Sequence, residues 1–377
     1  MTTTRRPRIL FAGGGTGGHL YPALALARAF QERGDSADIY FLGARRGVEA
    51  RVLPERGVPH SLLPFEPIRR SQPWQNWRLV PALGRAGIGI ARAFRDFRPD
   101  LVVGTGGYAS GPVVAWGALR GVPTAVQEQN SYPGLTTRWL APRVRQVHLA
   151  FPEARAHLRP GKNTEVFELG NPIQPPDPTI DRAAARRKFG MGDGPILLVV
   201  GGSQGARAVN EALLRDLSAL DGNDASARPA GLEILWATGR THHDRVSAEV
   251  ARLGLESWVR TEPYIHEMPL ALAVADLAIS RAGAMALAEL CAWGIASILV
   301  PFPHAAANHQ YHNARALADA SAAALITEDE LTPGRLWAEV ESLAADEPRR
   351  LHLAANAMQR GHPDAAHKIV EHLAELL

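Results

Sequence analysis

The chain of 377 residues has a single cysteine, Cys291, so no disulfide framework can form and a reducing compartment is expected. That cysteine sits in the apolar run Gly283-Ala-Met-Ala-Leu-Ala-Glu-Leu-Cys291 and reads as a small core residue rather than a nucleophile. No apolar run approaches the roughly 18 residues that a membrane-spanning helix needs. Thr2 to Pro7 is polar and basic, and Ile9-Leu-Phe-Ala12 ends at once in glycines, so no signal peptide is expected and the reading is a soluble cytosolic protein. There is no Gly-Lys-Ser/Thr phosphate loop, which argues against an ATPase. Nor is there an Asp-x-Asp pair, so a diphosphate leaving group would have to be stabilised by amide dipoles rather than by a carboxylate-held metal.

Hydrophobic residues at 46% and charged residues at 21% give the balance of a soluble globular protein, and the length suits two domains. The net charge of +3 is unevenly spread. Up to Gly170 there are 23 Lys and Arg against 12 Asp and Glu, and the remainder is net acidic. A uniformly basic chain would suggest nucleic acid; a basic half joined to an acidic half suggests one domain facing something anionic.

The chain alternates short apolar runs with helical stretches. Arg8 to Ala12 reads as a strand, Gly13 to Gly18 as a loop, and Pro22 to Arg33 as a helix stopped by Gly34. Ile39 to Leu42 and Leu101 to Gly104 are further strands, with a helix over Ile88 to Phe97. Gly170-Asn-Pro-Ile-Gln-Pro-Pro-Asp-Pro178 cannot continue a helix or a central strand and reads as a linker. Beyond it the opening pattern returns: Ile196 to Val200, the loop Gly201-Gly-Ser-Gln-Gly205, and a helix from Ala206. A further unit runs Leu277 to Ser280, a turn at Arg281-Ala-Gly283, a helix to Trp293 and a strand at Ser297 to Val300. Two doubly wound α/β domains follow, with ligands expected beyond the carboxyl ends of the strands.

Gly13-x-Gly15-x-x-Gly18 formally matches the dinucleotide fingerprint, but the second strand ends Leu42-Gly-Ala-Arg-Arg46 without the acid that would hold a ribose diol. Arg45 and Arg46 could suit a 2′-phosphate. Both glycine loops also make sense as diphosphate cradles, since glycines let N–H groups approach phosphate oxygens at a helix N-terminus. His19 follows the first loop and suits a general base beside such a site; capping or packing is the plainer role. Glu289 is the one charged residue between Arg281 and Val300, a carboxylate that needs a partner such as a ribose diol, a buried backbone group or an arginine. His304, Asn308, His309, Gln310, His312 and Asn313 form a polar cluster. The spacing His309-x-x-His312 could bind zinc but lacks a third ligand nearby, and bonding to sugar hydroxyls suits the amides better.

Several motifs stand in order: Gly14-Gly-Thr-Gly-Gly-His19, Gly106-Gly-Tyr-Ala-Ser-Gly-Pro112, Glu128-Gln-Asn130 with Pro133-Gly-Leu135, Gly170-Asn-Pro172, Gly201-Gly-Ser-Gln-Gly-Ala206, Arg281-Ala-Gly283 with Glu289, and His309-Gln310. Together, over nearly the whole chain, they resemble the MurG family of bacterial transferases, which add N-acetylglucosamine to lipid I to make lipid II. The resemblance implies a GT-B fold, an α/β architecture of two Rossmann-like doubly wound domains facing across a cleft. It divides the chain into an acceptor-binding, membrane-facing domain (1–170), a linker (171–180), a UDP-sugar domain (181–360) and a C-terminal helix (361–377) returning to the first domain. It further implies UDP-N-acetylglucosamine and lipid I as substrates and peptidoglycan synthesis as the process. The C4 hydroxyl of N-acetylmuramic acid would attack C1 of the donor with inversion, with no cofactor or metal required and no nucleic acid partner. The expected place is peripheral, on the cytoplasmic side of the bacterial inner membrane.

Carried over residue by residue, the resemblance puts Thr16, Gly17, Gly18 and Asn130 at the donor, with Ser203 on its diphosphate. Ile265 would meet uracil through its backbone, and Ala284, Met285, Ala286, Leu287 and Ala288 would enclose the nucleotide. Glu289 would hold the ribose and Gln310 a hydroxyl of the transferred sugar. Gly14, Gly15, His19, Gly106, Gly107 and Tyr108 would face the acceptor, with His19 as the catalytic residue. Two departures from the family pattern stand out: Gln174 where arginine is common, and Gln127 where histidine is common. An epimerase of the same fold and a non-catalytic UDP-sugar sensor remain as alternatives; neither needs a membrane surface. Ile68 to Arg85 places Trp74, Trp77, Leu79, Val80 and Leu83 among Arg69, Arg70, Arg78 and Arg85, the mixture expected of a segment docking on anionic inner-leaflet lipid.

Overall fold

Residues that alternate two apolar faces over a short run form strands buried on both sides. The computed structural model, which describes residues 5–34, 37–66, 74, 79–202, 205–220 and 228–377, arranges these strands in two parallel sheets. The chain divides into two compact units, one of Met1–Gln174 with Pro363–Leu377, the other of Pro175–His362.

The first unit runs β1 (Arg8–Ala12), α1 (Gly17–Glu32), β2 (Asp38–Ala44), α2 (Glu49–Glu55), β3 (His60–Leu63), α3 (Leu79–Phe97), β4 (Leu101–Gly104), α4 (Gly107–Leu119), β5 (Thr124–Glu128), α5 (Leu135–Leu140), β6 (Gln146–Leu149) and β7 (Glu165–Glu168). Its seven strands lie in the order β3-β2-β1-β4-β5-β6-β7, all parallel. Ile9 and Phe11 point to one face, where they pack with Leu26, Phe30 and Leu53. Leu10 and Ala12 point to the other, onto Leu42, Val102, Val113 and Ile90.

The second unit runs α6 (Arg182–Phe189), β8 (Ile196–Val200), α7 (Arg207–Ser218), β9 (Glu233–Ala237), α8 (His243–Arg252), β10 (Val259–Glu262), α9 (Met268–Val274), β11 (Leu277–Ser280), α10 (Ala284–Ala292), β12 (Ala296–Leu299), α11 (His309–Asp319), β13 (Ala324–Leu325), α12 (Arg335–Ala345) and α13 (Glu347–Arg360). Its six strands lie β10-β9-β8-β11-β12-β13, again all parallel. In both sheets the order reverses beside the first strand. The reversals, between β1 and β4 and between β8 and β11, are where ligands bind in this architecture.

A last helix, α14 (Ala365–Ala374), belongs to the first unit and packs on α1. Ile369 and Leu373, both fully buried, cover the Ile9 and Phe11 face. Near it the Gln146 amide donates to the His372 carbonyl at 2.9 Å, and the Gln146 oxygen faces His148 Nε2 at 3.1 Å. Burial, with His372 adding a smaller effect, pushes His148 down to about 3, so its ring is neutral.

Several boundaries differ from the sequence expectation: α3 begins at Leu79 rather than Ile88, β2 runs Asp38–Ala44 rather than Ile39 to Leu42, and β12 runs Ala296–Leu299 rather than Ser297 to Val300. The first helix starts at Gly17, not Pro22, because its opening turn is built of glycines that carry no apolar period. Asn171, Pro172 and Ile173, expected to open the linker, are buried within the first unit, where Asn171 completes a set of buried amides.

Candidate active site

In the first unit the turns after β1 and β4 meet at the reversal point. A Cβ on Gly107, which has φ +78°, would lie 2.2 Å from the Gly14 carbonyl oxygen. One on Gly106 would lie 2.7 Å from His19 Nδ1. Two backbones therefore approach each other with no room for side chains, and the glycines at 106 and 107 are sterically required. The N-terminal turn of α1 has no side-chain cap from Thr16, and Gly106 offers none to α4. By contrast, α6 and α13 are capped by Asp181 and Asp346. A missing cap costs roughly 0.5–2 kcal/mol; the His19 N–H turns back to the Thr16 carbonyl at 3.2 Å, and the positive end of α1 at Gly17 and Gly18 faces outward to an anion.

His19 lies in that first turn. Its carbonyl accepts from Thr105 Oγ1 at 2.8 Å, tying the two turns together, and its ring Nδ1 stands 3.1 Å from Gln129 Oε1. Tyr108 packs against Gly15, and burial pushes its hydroxyl above its usual range, with Glu49 next in effect. Asn130 is held by the buried Glu128 carboxylate, which accepts from its backbone N–H at 3.1 Å and its side-chain amide at 3.2 Å. The same carboxylate takes Gly134 N–H at 3.0 Å and Thr137 Oγ1, fixing the loop that follows β5.

In the second unit Glu289 sits on α10, whose N-terminus at Gly283 has no side-chain cap. Burial pushes its carboxyl up to about 7. Among the described residues it has no hydrogen bond or ion pair, so the buried-arginine alternative does not hold for them. Arg281 instead reaches across to β12 and beyond: its guanidinium donates to Val300 O at 3.0 Å and Pro301 O at 3.2 Å, and pairs with Glu328. It braces the turn after β11. Gln310 accepts from Phe302 N–H at 3.0 Å through Oε1, which leaves its Nε2 with no protein partner among the described residues. The backbone just before it is strained, with Ala307 and Asn308 both near φ +54°. The Ile265 side chain is buried, while its N–H and C=O make no protein hydrogen bond among the described residues. Ala284 to Ala288 form the first turns of α10.

Ser203 lies outside the described residues, as does most of the Ile68 to Arg78 segment; Trp74 within it is 70% exposed. Among the described residues no three His, Cys, Asp or Glu side chains are grouped to hold a metal. No described helix is long and apolar enough to cross a membrane.

Two features escape sequence reading. Glu49, fully buried, accepts from Gly15 N–H at 2.9 Å and Ala44 N–H at 2.8 Å. Gly14, Gly43 and Gly47 crowd it so closely that a Cβ on any of them would overlap it. Glu49 thus anchors the glycine loop and occupies the Gly15 amide, leaving the α1 turn as the open donor set. Gly43 and Gly47 close before the glutamate were the available signal; the approach of Gly14 is a tertiary fact. The other feature is the row of buried amides Gln127, Gln129 and Asn171, hinted at by polar residues closing the buried strand β5.

Comparison with known proteins matches the glycosyltransferase family 28 N-terminal domain over residues 9–149 and its C-terminal domain over residues 196–369. A protein of Moorella thermoacetica is 42% identical over 97% of both chains, and one of Halothermothrix orenii 39% identical over 96% of this chain and 97% of its own. Both are named UDP-N-acetylglucosamine–N-acetylmuramyl-(pentapeptide) pyrophosphoryl-undecaprenol N-acetylglucosamine transferase. The crystal structure of Acinetobacter baumannii MurG superposes with a TM-score of 0.75 at 28% identity, covering 98% of this chain and 99% of its own. The kitacinnamycin glycosyltransferase, at 17% identity and a TM-score of 0.70, shares the fold. With both domain models matched in order and such relatives spanning nearly its full length, the chain belongs to glycosyltransferase family 28 and has the GT-B fold.

Proposed function

We propose that the protein transfers N-acetylglucosamine from UDP-N-acetylglucosamine to the C4 hydroxyl of N-acetylmuramic acid in lipid I, giving lipid II for peptidoglycan synthesis. The observation that carries this reading is the near-full-length identity, at 37–42%, to relatives named for that reaction. The site chemistry agrees with it. Glu289 holds the ribose diol, which supplies the hydroxyl donors its isolated carboxylate lacks among the described residues. Ile265 offers an unused N–H and C=O to uracil, and the uncapped turn of α10 lies beside the nucleotide. Ser203 completes the diphosphate cradle. Gln310 donates from Nε2 to a hydroxyl of the sugar, its oxygen being engaged by Phe302.

In the first unit Thr16, Gly17 and Gly18 bring the open N-terminus of α1 to the donor, and Asn130 contacts the donor sugar. Gly14, Gly15, Gly106, Gly107 and Tyr108 shape the acceptor side, and His19 takes the proton of the attacking hydroxyl. Charge building on the departing diphosphate is stabilised by helix N-termini, so no metal or other cofactor is required. The acceptor's lipid tail calls for a membrane surface, and the first unit meets anionic lipid on the cytoplasmic side of the inner membrane. The exposed stripe Arg85, Ile88 and Arg92 on α3, the exposed Trp74 and the basic excess before Gly170 support that placement. The test is incubation of pure protein with radiolabelled UDP-N-acetylglucosamine and a short-chain lipid I analogue. A labelled disaccharide product is expected; hydrolysis or 2-epimerisation of the donor without transfer refutes the reading.

A further inference from the structure

Beneath His19 runs a chain of amides whose orientations fix one another. Gln129 Nε2 lies 2.9 Å from the Thr105 carbonyl oxygen and 3.0 Å from the Gln127 carbonyl oxygen, sharing its hydrogens with the Gln127 side-chain oxygen as well. Carbonyl oxygens only accept, so the Gln129 amide cannot be turned over without setting its oxygen against two others. Its Oε1 therefore faces His19 Nδ1, 3.1 Å away. Gln127 is held in turn: its Nε2 donates to Asn171 Oδ1 at 3.1 Å, while Asn171 Nδ2 donates to the Gln129 carbonyl at 3.1 Å. Gln127, Gln129 and Asn171 are 0%, 2% and 3% exposed, so water cannot replace a lost partner.

An amide oxygen accepts and never donates, so the hydrogen between Gln129 and His19 must be on Nδ1. A neutral imidazole carries one N–H, and the lone pair is then on Nε2. From this we propose that Asn171, Gln127 and Gln129 are positioning residues that hold His19 in the Nδ1–H tautomer, making Nε2 the nitrogen that accepts the acceptor's proton. The proposal rests on the reading of His19 as the base. In the step it serves, Nε2 takes the proton of the C4 hydroxyl while that oxygen bonds to C1 of the donor sugar. The C1–O bond to the diphosphate breaks with its electron pair leaving on UDP. The imidazolium so formed keeps its Nδ1–H bond to Gln129. Setting the opposite tautomer in this cradle would face two lone pairs across 3.1 Å, a bias of roughly ten- to a hundred-fold toward Nδ1–H. Gly106 also belongs to the arrangement: its missing side chain is what lets the ring sit against Gln129.

The tautomer is read in the wild-type protein, before any substitution, by long-range ¹⁵N–¹H correlation with ¹⁵N-histidine labelling, the His19 signals being those lost in His19→Gln. Protonated Nδ1 and unprotonated Nε2 are expected; the reverse pattern overturns the proposal. Gln129→Met keeps the volume and removes the acceptor. It should shift the His19 signals toward the Nε2–H form and lower kcat by about 10- to 10⁴-fold, the upper end being the cost of a wrong tautomer in a serine-protease triad. The donor KM should stay within about two-fold. Unchanged signals with unchanged kcat refute the positioning role. Gln127→Met, which removes the support without touching His19, should move both readouts in the same direction by less. Normal turnover in His19→Gln instead sinks the assignment of the base, whatever the tautomer.

Discussion

With Glu289 on the ribose as proposed, donor binding carries a pH signature of definite sign. Burial pushes it up to about 7 in the free protein. Two ribose hydroxyls donating to it favour the ionised form, so the donor selects the carboxylate and a proton leaves on binding. With a group at about 7, roughly one molecule in eleven is ionised at pH 6 and ten in eleven at pH 8. Affinity for UDP-N-acetylglucosamine should therefore rise about ten-fold over that span, or about 1.4 kcal/mol. At pH 7 about half a proton should be released per donor bound, visible in calorimetry as a heat that changes with the ionisation enthalpy of the buffer. The nucleotide sugar is the right probe because a terminal phosphate, as in UDP, itself titrates near pH 6. Glu289→Gln should flatten the profile and weaken binding at pH 8 by roughly ten- to a hundred-fold. Histidines acting on the diphosphate would give the opposite slope, since their charged form favours an anion. An affinity flat or falling between pH 6 and 8, or a Glu289→Gln profile that keeps the wild-type slope, refutes the ribose assignment. The free protein should show the converse in stability. A carboxyl raised above its unfolded value destabilises the fold as pH climbs from the ordinary carboxylate range to about 7, and the donor should relieve that loss.

Glu49→Ala should lower the unfolding midpoint of the first unit by the equivalent of about 2–4 kcal/mol, because the Gly15 and Ala44 amides lose their charged acceptor. Glu49→Gln, which keeps one oxygen, should cost less, and identical melting of wild type and Glu49→Ala would mean the loop holds itself. Ile369→Ala should destabilise the same unit by about 2–5 kcal/mol, read as faster proteolysis or a lower melting temperature. His148 is lowered to about 3 in the fold, so native protein binds fewer protons than unfolded chain from about pH 6.5 down to about 3, and stability should fall as pH drops through that window. His148→Phe should flatten that acid limb; an unchanged limb assigns acid loss to other groups. Charge reversal at Arg85 and Arg92 with Ile88→Glu should reduce sedimentation with phosphatidylglycerol vesicles while leaving donor affinity alone, and undiminished sedimentation moves the docking surface elsewhere.

The strands were legible because each buried run is short, apolar and ended by a glycine or a tight glycine-containing turn: Arg8 to Ala12, Leu101 to Gly104, Ile196 to Val200 and Leu277 to Ser280 fold over those residues. The glycine turns were legible for the same reason, and their steric need is visible in the contact of Gly107 with Gly14. The start of α1 was not, since Gly17 and Gly18 carry no periodic signal. Buried polar chemistry was read only in part. Glu289 stood out as a charge in an apolar helix. Glu49 did not, because the sequence sets Gly43 and Gly47 near it but says nothing of Gly14, whose approach from the first loop closes the enclosure. Gln127 was recognisable as a residue that cannot titrate, but its bond to Asn171, 44 positions away, is a tertiary fact.

The placement of α14 on the first unit has a consequence for how the protein is made. Ile369 and Leu373 cover the side of the first sheet formed by Ile9 and Phe11, yet the ribosome reaches them only after the whole second unit has been synthesised. During translation the second unit, contiguous in sequence, is the first that can close completely, reversing the usual order in which amino-terminal domains finish first. Until then the nascent first sheet presents part of an apolar face to solvent. A chaperone bound there should be released when α14 emerges, and moving residues 363–377 by circular permutation to precede Arg8 should shorten that exposure.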